Sequence, residues 1–407
     1  MTTKSGASVW QTRIAIGLCL LAAMIEGFDI ASMGVAAPKM MPALGLSKPE
    51  AGWAFSASLL GLMFGAAFAG TLSDRVGRKP VLLASVTVFG LFSLGTAMAH
   101  GYAPLLTVRF LTGLGLGGAM PMLIAMASEL ASPKRKTFVV SSITAGLPMG
   151  GALVGLLART DLAAADWRLI FLVGGALPLM LVIALWVWLP ETGTRPEAPA
   201  RGAGVAALFG KGRLGTTMTL WVSYAAIALV LHLFLNWLPS LLVARGVEGK
   251  AAAGISTLFN LGGAAGGVLV GVTIDRLGAR WPLAAAVAGL VAVLFALAAP
   301  GAGMPATAGL AFGAGFLIMA TQFGLYGIGP QYYALSVRGT GVGAAIAAGR
   351  FGSVLGPVLA GQLLGGGASA GQVVLSTVPI VLLAGVAAMA LTVVGTAGTE
   401  AAPQEPR

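Results

Sequence analysis

Charge is what this chain has least of. Only 9% of its 407 residues are Asp, Glu, Lys or Arg, and the acids number 13 against 24 basic residues. A water-soluble domain carries nearer a quarter charged residues. A charge-poor chain that is 57% hydrophobic, with long apolar runs, reads as a polytopic helical membrane protein. There is one cysteine, Cys19, so no internal disulfide forms, and its place in an apolar run reads as packing. Only two histidines are present, His100 and His232. No Cys/His cluster has metal-site spacing, and no Walker loop points to ATP. No nucleophile–base set is present either, so the sequence reads as neither enzyme nor cofactor binder.

Long apolar runs are abundant. They fall at about 14–36, 51–72, 80–99, 104–128, 138–159, 168–189, 215–243, 252–274, 281–299, 304–330, 340–365 and 371–395. A spanning helix needs about 20 mainly apolar residues, so the expectation is twelve transmembrane helices. The first run has a basic flank, Lys4 and Arg13, like a signal peptide. It is too long, holds two acids and precedes many further spans, so it reads as a retained first helix. Glycine, 61 of 407 residues, fits tight helix packing in a membrane.

A polar segment rich in Pro, Gly and Arg, residues 191–213, separates the sixth run from the seventh. It divides the chain into a six-helix bundle at 1–190, a linker, a second bundle at 214–396 and a polar tail at 397–407. The two halves repeat. GTLSDRVGRK at 70–79 aligns with GVTIDRLGAR at 271–280, an offset of 201 residues. A weaker echo joins GLPMGGALVG at 146–155 to GRFGSVLGPV at 349–358. Two such halves with a site at their seam is a transporter design. With both termini on one side of the membrane, that side holds 16 of the 24 basic residues, which places the termini in the cytoplasm. The same placement accounts for the net charge of +11 without nucleic acid.

Against this apolar background the buried charges stand out. Glu26 and Asp29 lie three apart within the first run, on one side of a helix. Two carboxylates at bilayer depth cost roughly 2.5–3.5 kcal/mol each if they face lipid, so they face the interior. Mutual repulsion and desolvation favour the protonated form, the chemistry of proton loading and release. A structural ion pair with a basic residue of another helix is the plainer alternative. Arg350, about 15 Å into the eleventh run, suits bidentate recognition of a carboxylate, whether the substrate's or that of Asp29. Arg109, five residues into the fourth run, either snorkels to the headgroups or acts in proton coupling. His232 and Asn236 share a face of the seventh run beside Trp237, as packing or as ligands for a phenol or carboxyl group. Tyr326 and Tyr332, near the end of the tenth run, either stack on an aromatic substrate or mark the membrane interface. Two literal motif matches fall away. The G-x-G-x-x-G at 113–118 lies inside a span, and the LPETG at 189–193 lies mid-chain.

The loop GTLSDRVGRK resembles the loop 2–3 signature of the major facilitator superfamily, and RFLTGLGLGGAMP at 109–121 resembles its helix 4 motif. Glu26-Gly27-Phe28-Asp29 looks like the D/E-G-x-D signature of that superfamily's aromatic acid:proton symporters, and the resemblance covers the whole chain. It implies an all-α fold of two pseudo-symmetric six-helix bundles in the inner membrane. It implies proton-coupled import of an aromatic carboxylate by alternating access, with 3-(3-hydroxyphenyl)propionate or a hydroxybenzoate as first candidates. Glu26, Asp29 and Arg109 then couple protons. Asp29, Arg350, His232, Asn236, Tyr326 and Tyr332 then contact substrate. Gly70, Asp74, Arg75, Gly77, Arg78, Lys79, Glu129, Asp275, Arg276 and Arg338 form gating networks, with Arg78 on Glu129. No cofactor or metal is implied, and a monomer is expected. The competing reading is a proton-driven efflux antiporter. Such antiporters often carry G-x-x-x-G-P in the fifth span, and here Pro148 is placed differently.

Overall fold

Helix ends carry the repeat into three dimensions. In the computed structural model, α1 (Val9–Ala43) ends on Gly45, whose φ of 64° suits glycine, with Leu46 N donating to Met41 O at 2.9 Å. α8 (Leu214–Val243) ends the same way 201 residues later. Gly246 has φ 85°, and Val247 N donates to Leu242 O at 3.1 Å. The paired glycines of the charged loops behave alike, with φ 95° at Gly77 and 73° at Gly278. A side chain at any of these four positions strains the turn. α2 (Lys48–Val76) opens with a reciprocal capping box between Ser47 and Glu50.

The structure describes residues 9–132, 135–191, 205–210, 213–334 and 337–399. Within them lie α3 (Arg78–Ala97), α4 (Tyr102–Leu130), α5 (Lys136–Ala158), the short α6 (Asp161–Ala165) and α7 (Arg168–Trp188). The second half adds α9 (Gly249–Leu277), α10 (Arg280–Ala298), α11 (Met304–Ile328), α12 (Arg338–Gly365) and α13 (Ala370–Thr399). Among the described residues twelve helices are long and apolar enough to cross a membrane, matching the twelve apolar runs. Most of the 191–213 linker and the end of the 397–407 tail lie outside the described residues, as do Lys4, Lys134, Arg195, Arg201, Lys211 and Arg407.

Glycine sets the helix contacts. A Cβ on Gly61 or Gly65 of α2 would overlap the carbonyls of Phe110 or Leu114 on α4. Gly113 and Gly117 of α4 face Ser58 and Leu62 of α2 in return. The repeat reproduces one side of this contact. Gly262 and Gly266 of α9, 201 residues after Gly61 and Gly65, press on the Phe312 and Phe316 carbonyls of α11. Such backbone approach replaces the hydrophobic drive that lipid does not supply.

Compactness cuts the chain differently from the repeat. One unit is Met1–Glu197 with Leu233–Leu261 and Pro357–Ala370; the other is Ala198–His232, Gly262–Gly356 and Gly371–Arg407. The first unit thus includes one end of α8, α9 and α12. Contacts inside it explain why. Trp237 Nε1 donates to Pro357 O at 2.9 Å, and the Trp237 ring meets Phe55 edge-on at 5.1 Å. A Cβ on Gly52 would lie 2.7 Å from the Pro357 carbonyl, and one on Gly155 would lie 2.8 Å from that of Ala253. The two crossings occupy matching places in the two halves, since Gly52 lies 201 residues before Ala253 and Gly155 lies 202 before Pro357, one residue off the 146–155 echo.

Candidate functional site

In the first unit the acids of α1 sit where two backbones touch. A Cβ on Gly27 would overlap the Leu147 carbonyl of α5, and one on Gly150 would overlap the Met24 carbonyl of α1. The glycine between Glu26 and Asp29 is therefore required by packing, and it holds the rotation of α1. Both acids turn inward, at 2% and 0% exposure. Asp29 is held by two neighbouring helices. Ser93 Oγ of α3 donates to its Oδ1 at 2.8 Å, and Arg109 Nη1 of α4 donates to Oδ2 at 3.1 Å. Arg109 does not snorkel; it is wholly buried, with its guanidinium 5.9 Å from the Phe171 ring centroid. Its Nε and Nη2 have no hydrogen-bond partner among the described residues. The pair is thus fully desolvated but incompletely satisfied, a costly arrangement that persists only where the fold enforces it.

The second unit carries a different polar group. α8 and α12 cross at Gly352, where a Cβ would overlap the Ala225 carbonyl. This is the counterpart of the crossing at Gly150. Arg350, two residues earlier on α12, is half-buried and lies within electrostatic reach of both His232 of α8 and Tyr326 of α11. No carboxylate ion-pairs with Arg350 among the described residues. His232 Nδ1 lies 2.9 Å from Ala228 O, and a carbonyl only accepts, so this nitrogen carries the proton. Tyr326 lies 4.9 Å from Tyr224 between ring centroids, and Tyr224 donates to Leu325 O at 2.9 Å. The structure therefore brings Arg350, His232 and Tyr326 together. Asn236 falls in the first unit, buried where α8 backbone meets Gly34. Tyr332 lies beyond the end of α11 in a 3₁₀ turn.

The charged loop between α2 and α3 makes three anchors. Arg78 ion-pairs with Glu129 of α4. Glu191 Oε1 accepts from the backbone N–H groups of Arg78 and Lys79, at 3.1 and 3.2 Å, and so caps the start of α3. Lys79 Nζ donates to Trp186 O at 2.8 Å. Asp74, Arg75, Asp275 and Arg276 are exposed and form no ion pair among the described residues. Arg338 anchors its own loop through Nε to Tyr333 O at 3.3 Å. Gly77 is explained by its φ. Gly70 and its mate Gly271 have open space where a Cβ would go, and we find no structural reason for that repeat.

Sequence reasoning missed Ser93, Tyr224, Gln322 and Glu191. Ser93 and Tyr224 sit in spans with several similar residues, and only the fold selects them. Gln322 carried a signal, a lone amide within GAGFLIMATQFGLYG. Glu191 was hidden in the linker.

The Major Facilitator Superfamily model matches residues 19–357. The chain is 39% identical over 396 residues to the 3-(3-hydroxy-phenyl)propionate transporter of Escherichia coli K12, covering 96% of this chain and 97% of that one. It is 34% identical over 393 residues to the 4-hydroxybenzoate transporter PcaK of Pseudomonas putida, covering 88% and 87%. Among solved structures, a bacterial homologue of the human lysosomal transporter Spinster, inward-facing and occupied, superposes with a TM-score of 0.78 at 16% identity, covering 98% and 100%.

Proposed function

The chain belongs to the Major Facilitator Superfamily as a multi-pass membrane transporter and not an enzyme, and from that premise we propose that it imports a hydroxylated aromatic carboxylate together with protons. The candidates are 3-(3-hydroxyphenyl)propionate and hydroxybenzoates, the substrates in the relatives' names. One observation carries the reading. The chain has two arginines deep in its spans, and they are treated oppositely. Arg109 is buried on Asp29, whereas Arg350 has no carboxylate partner among the described residues. An unmatched guanidinium within a span calls for an anion, and its planar fork suits a carboxylate bidentately.

The first-half group then handles the proton. Both Asp29 oxygens already have protein partners, so it serves coupling better than substrate contact. Protonating Asp29 would dissolve the ion pair and free Arg109, whose Nε and Nη2 already lack partners among the described residues. Glu26, one turn away and equally buried, completes the acidic pair. Carrying a carboxylate into a negative interior costs about 2.3 kcal/mol per 100 mV. One proton cancels that charge, and a second lets the potential drive uptake. Alternating access draws support from the close backbone crossings at Gly52 and Gly155, which join helices of the two sequence halves. The basic-residue bias supports cytoplasmic termini, and the reading takes the chain as a monomer in the plasma (inner) membrane.

The test is uptake of labelled 3-(3-hydroxyphenyl)propionate into proteoliposomes with an imposed pH gradient, competed by a panel of aromatic acids. Accumulation that needs the gradient and is competed by hydroxylated aromatic acids is the expected result. Uptake indifferent to the gradient overturns the coupling, and absence of competition by any aromatic acid overturns the substrate class.

A further inference from the structure

Gln322 lies on α11 one turn before Tyr326, on the same face, with the two side chains in reach of each other. Gln322 is 3% exposed, and its Oε1 has no hydrogen-bond partner among the described residues. A buried amide group left unserved is costly, and lipid offers no water in compensation. Tyr326 is the exposed member of the pair, at 37%. Its ring stands against Tyr224 at 4.9 Å and Phe323 at 6.2 Å, and Arg350 lies within electrostatic reach. One cluster thus offers a cation, an aromatic wall and an amide acceptor with nothing to accept.

We propose that Gln322, acting with Tyr326, is the specificity-determining residue that reads the ring hydroxyl of the substrate. The inference rests on the transport reading above, in which Arg350 takes the carboxylate. A phenol is both donor and acceptor. It meets the Tyr326 hydroxyl first, accepts from it, and donates its own proton to the Gln322 amide oxygen. A ring without the hydroxyl leaves that oxygen unserved. Sites built to bond a hydroxyl reject the analogue lacking it far more strongly than apolar pockets discriminate by size. The expected preference is therefore for the hydroxylated acid.

The experiment compares 3-(3-hydroxyphenyl)propionate with 3-phenylpropionate, which lacks only the hydroxyl. KM and Vmax for both are measured in proteoliposomes for the wild type, Gln322→Leu and Tyr326→Phe. Gln322→Leu is expected to raise KM for the hydroxylated acid about tenfold, with KM for 3-phenylpropionate unchanged or lowered. Tyr326→Phe is expected to give about a threefold rise for the hydroxylated acid alone. A merely structural role moves both substrates by the same factor, and that result, or no change for either, overturns the inference. If Gln322→Leu does not reach the membrane, the ratio for Tyr326→Phe decides alone. Wild-type protein that takes up neither acid overturns the transport reading and the inference with it. Wild-type uptake followed by equal losses overturns the inference only.

Discussion

The two compact units solve the same problem, an arginine inside the membrane, in opposite ways. In the first, Arg109 is sealed at 0% exposure beside Asp29 and Ser93. In the second, Arg350 is half-buried among His232, Tyr326 and Tyr224, with no carboxylate opposite among the described residues. The backbone beneath them is shared, since Gly150 and Gly352 make matching helix crossings. An internal repeat can therefore keep its packing points while its polar side chains diverge. Packing is needed by both halves, but a charge needs only one place in the cycle.

The harshest way to break the comparison is Arg109→Met, which leaves Asp29 buried without a cation. It should cost about 3–5 kcal/mol and sharply reduce folded protein, read by yield and melting temperature in detergent. Asp29→Asn should be milder for folding but abolish gradient-driven uptake while the protein still reaches the membrane. Normal accumulation by that variant would refute a proton role for Asp29. Arg350→Lys keeps the charge but loses the fork. We expect KM for the carboxylate to rise tenfold or more, about 1.4 kcal/mol, with an unchanged melting temperature. A larger stability loss than affinity loss would make Arg350 structural. Gly150→Ala and Gly352→Ala should each destabilise by about 1–3 kcal/mol through overpacking, whereas Gly70→Ala should change the melting temperature little. The smallest effect belongs to an exposed pair, Asp161 with Lys250. The hydrogen bond from Lys250, then its charge, lowers the Asp161 carboxyl below its ordinary value of 3.8. A lowered acid contributes above its unfolded pKa and loses that contribution only as pH falls through the folded one. Asp161→Asn should therefore leave the melting temperature flat between about pH 5 and 8.

Much of this was legible beforehand, for a physical reason. Apolar length decides spanning, and the cost of a charge in lipid turns Glu26 and Asp29 inward, while Arg109, near a span end, could equally have snorkelled. The partner of Asp29 was not legible. Its two candidate cations, Arg109 and Arg350, are equally long-reaching, and sequence separation says nothing of which helix stands beside α1. The role of Glu191 was hidden because a helix start can recruit any carboxylate the fold brings near.

The chain alone determined twelve spans, a twofold repeat, and charges too costly to meet lipid. These follow from transfer energies and periodicity, which are local properties. Only the tertiary structure decided that Arg109 meets Asp29 while Arg350 meets no carboxylate among the described residues, and that Gln322 Oε1 has no hydrogen-bond partner among them. Those facts are set by which helix backbones approach at Gly27, Gly150 and Gly352, and close approach is a property of neighbours rather than of any one segment.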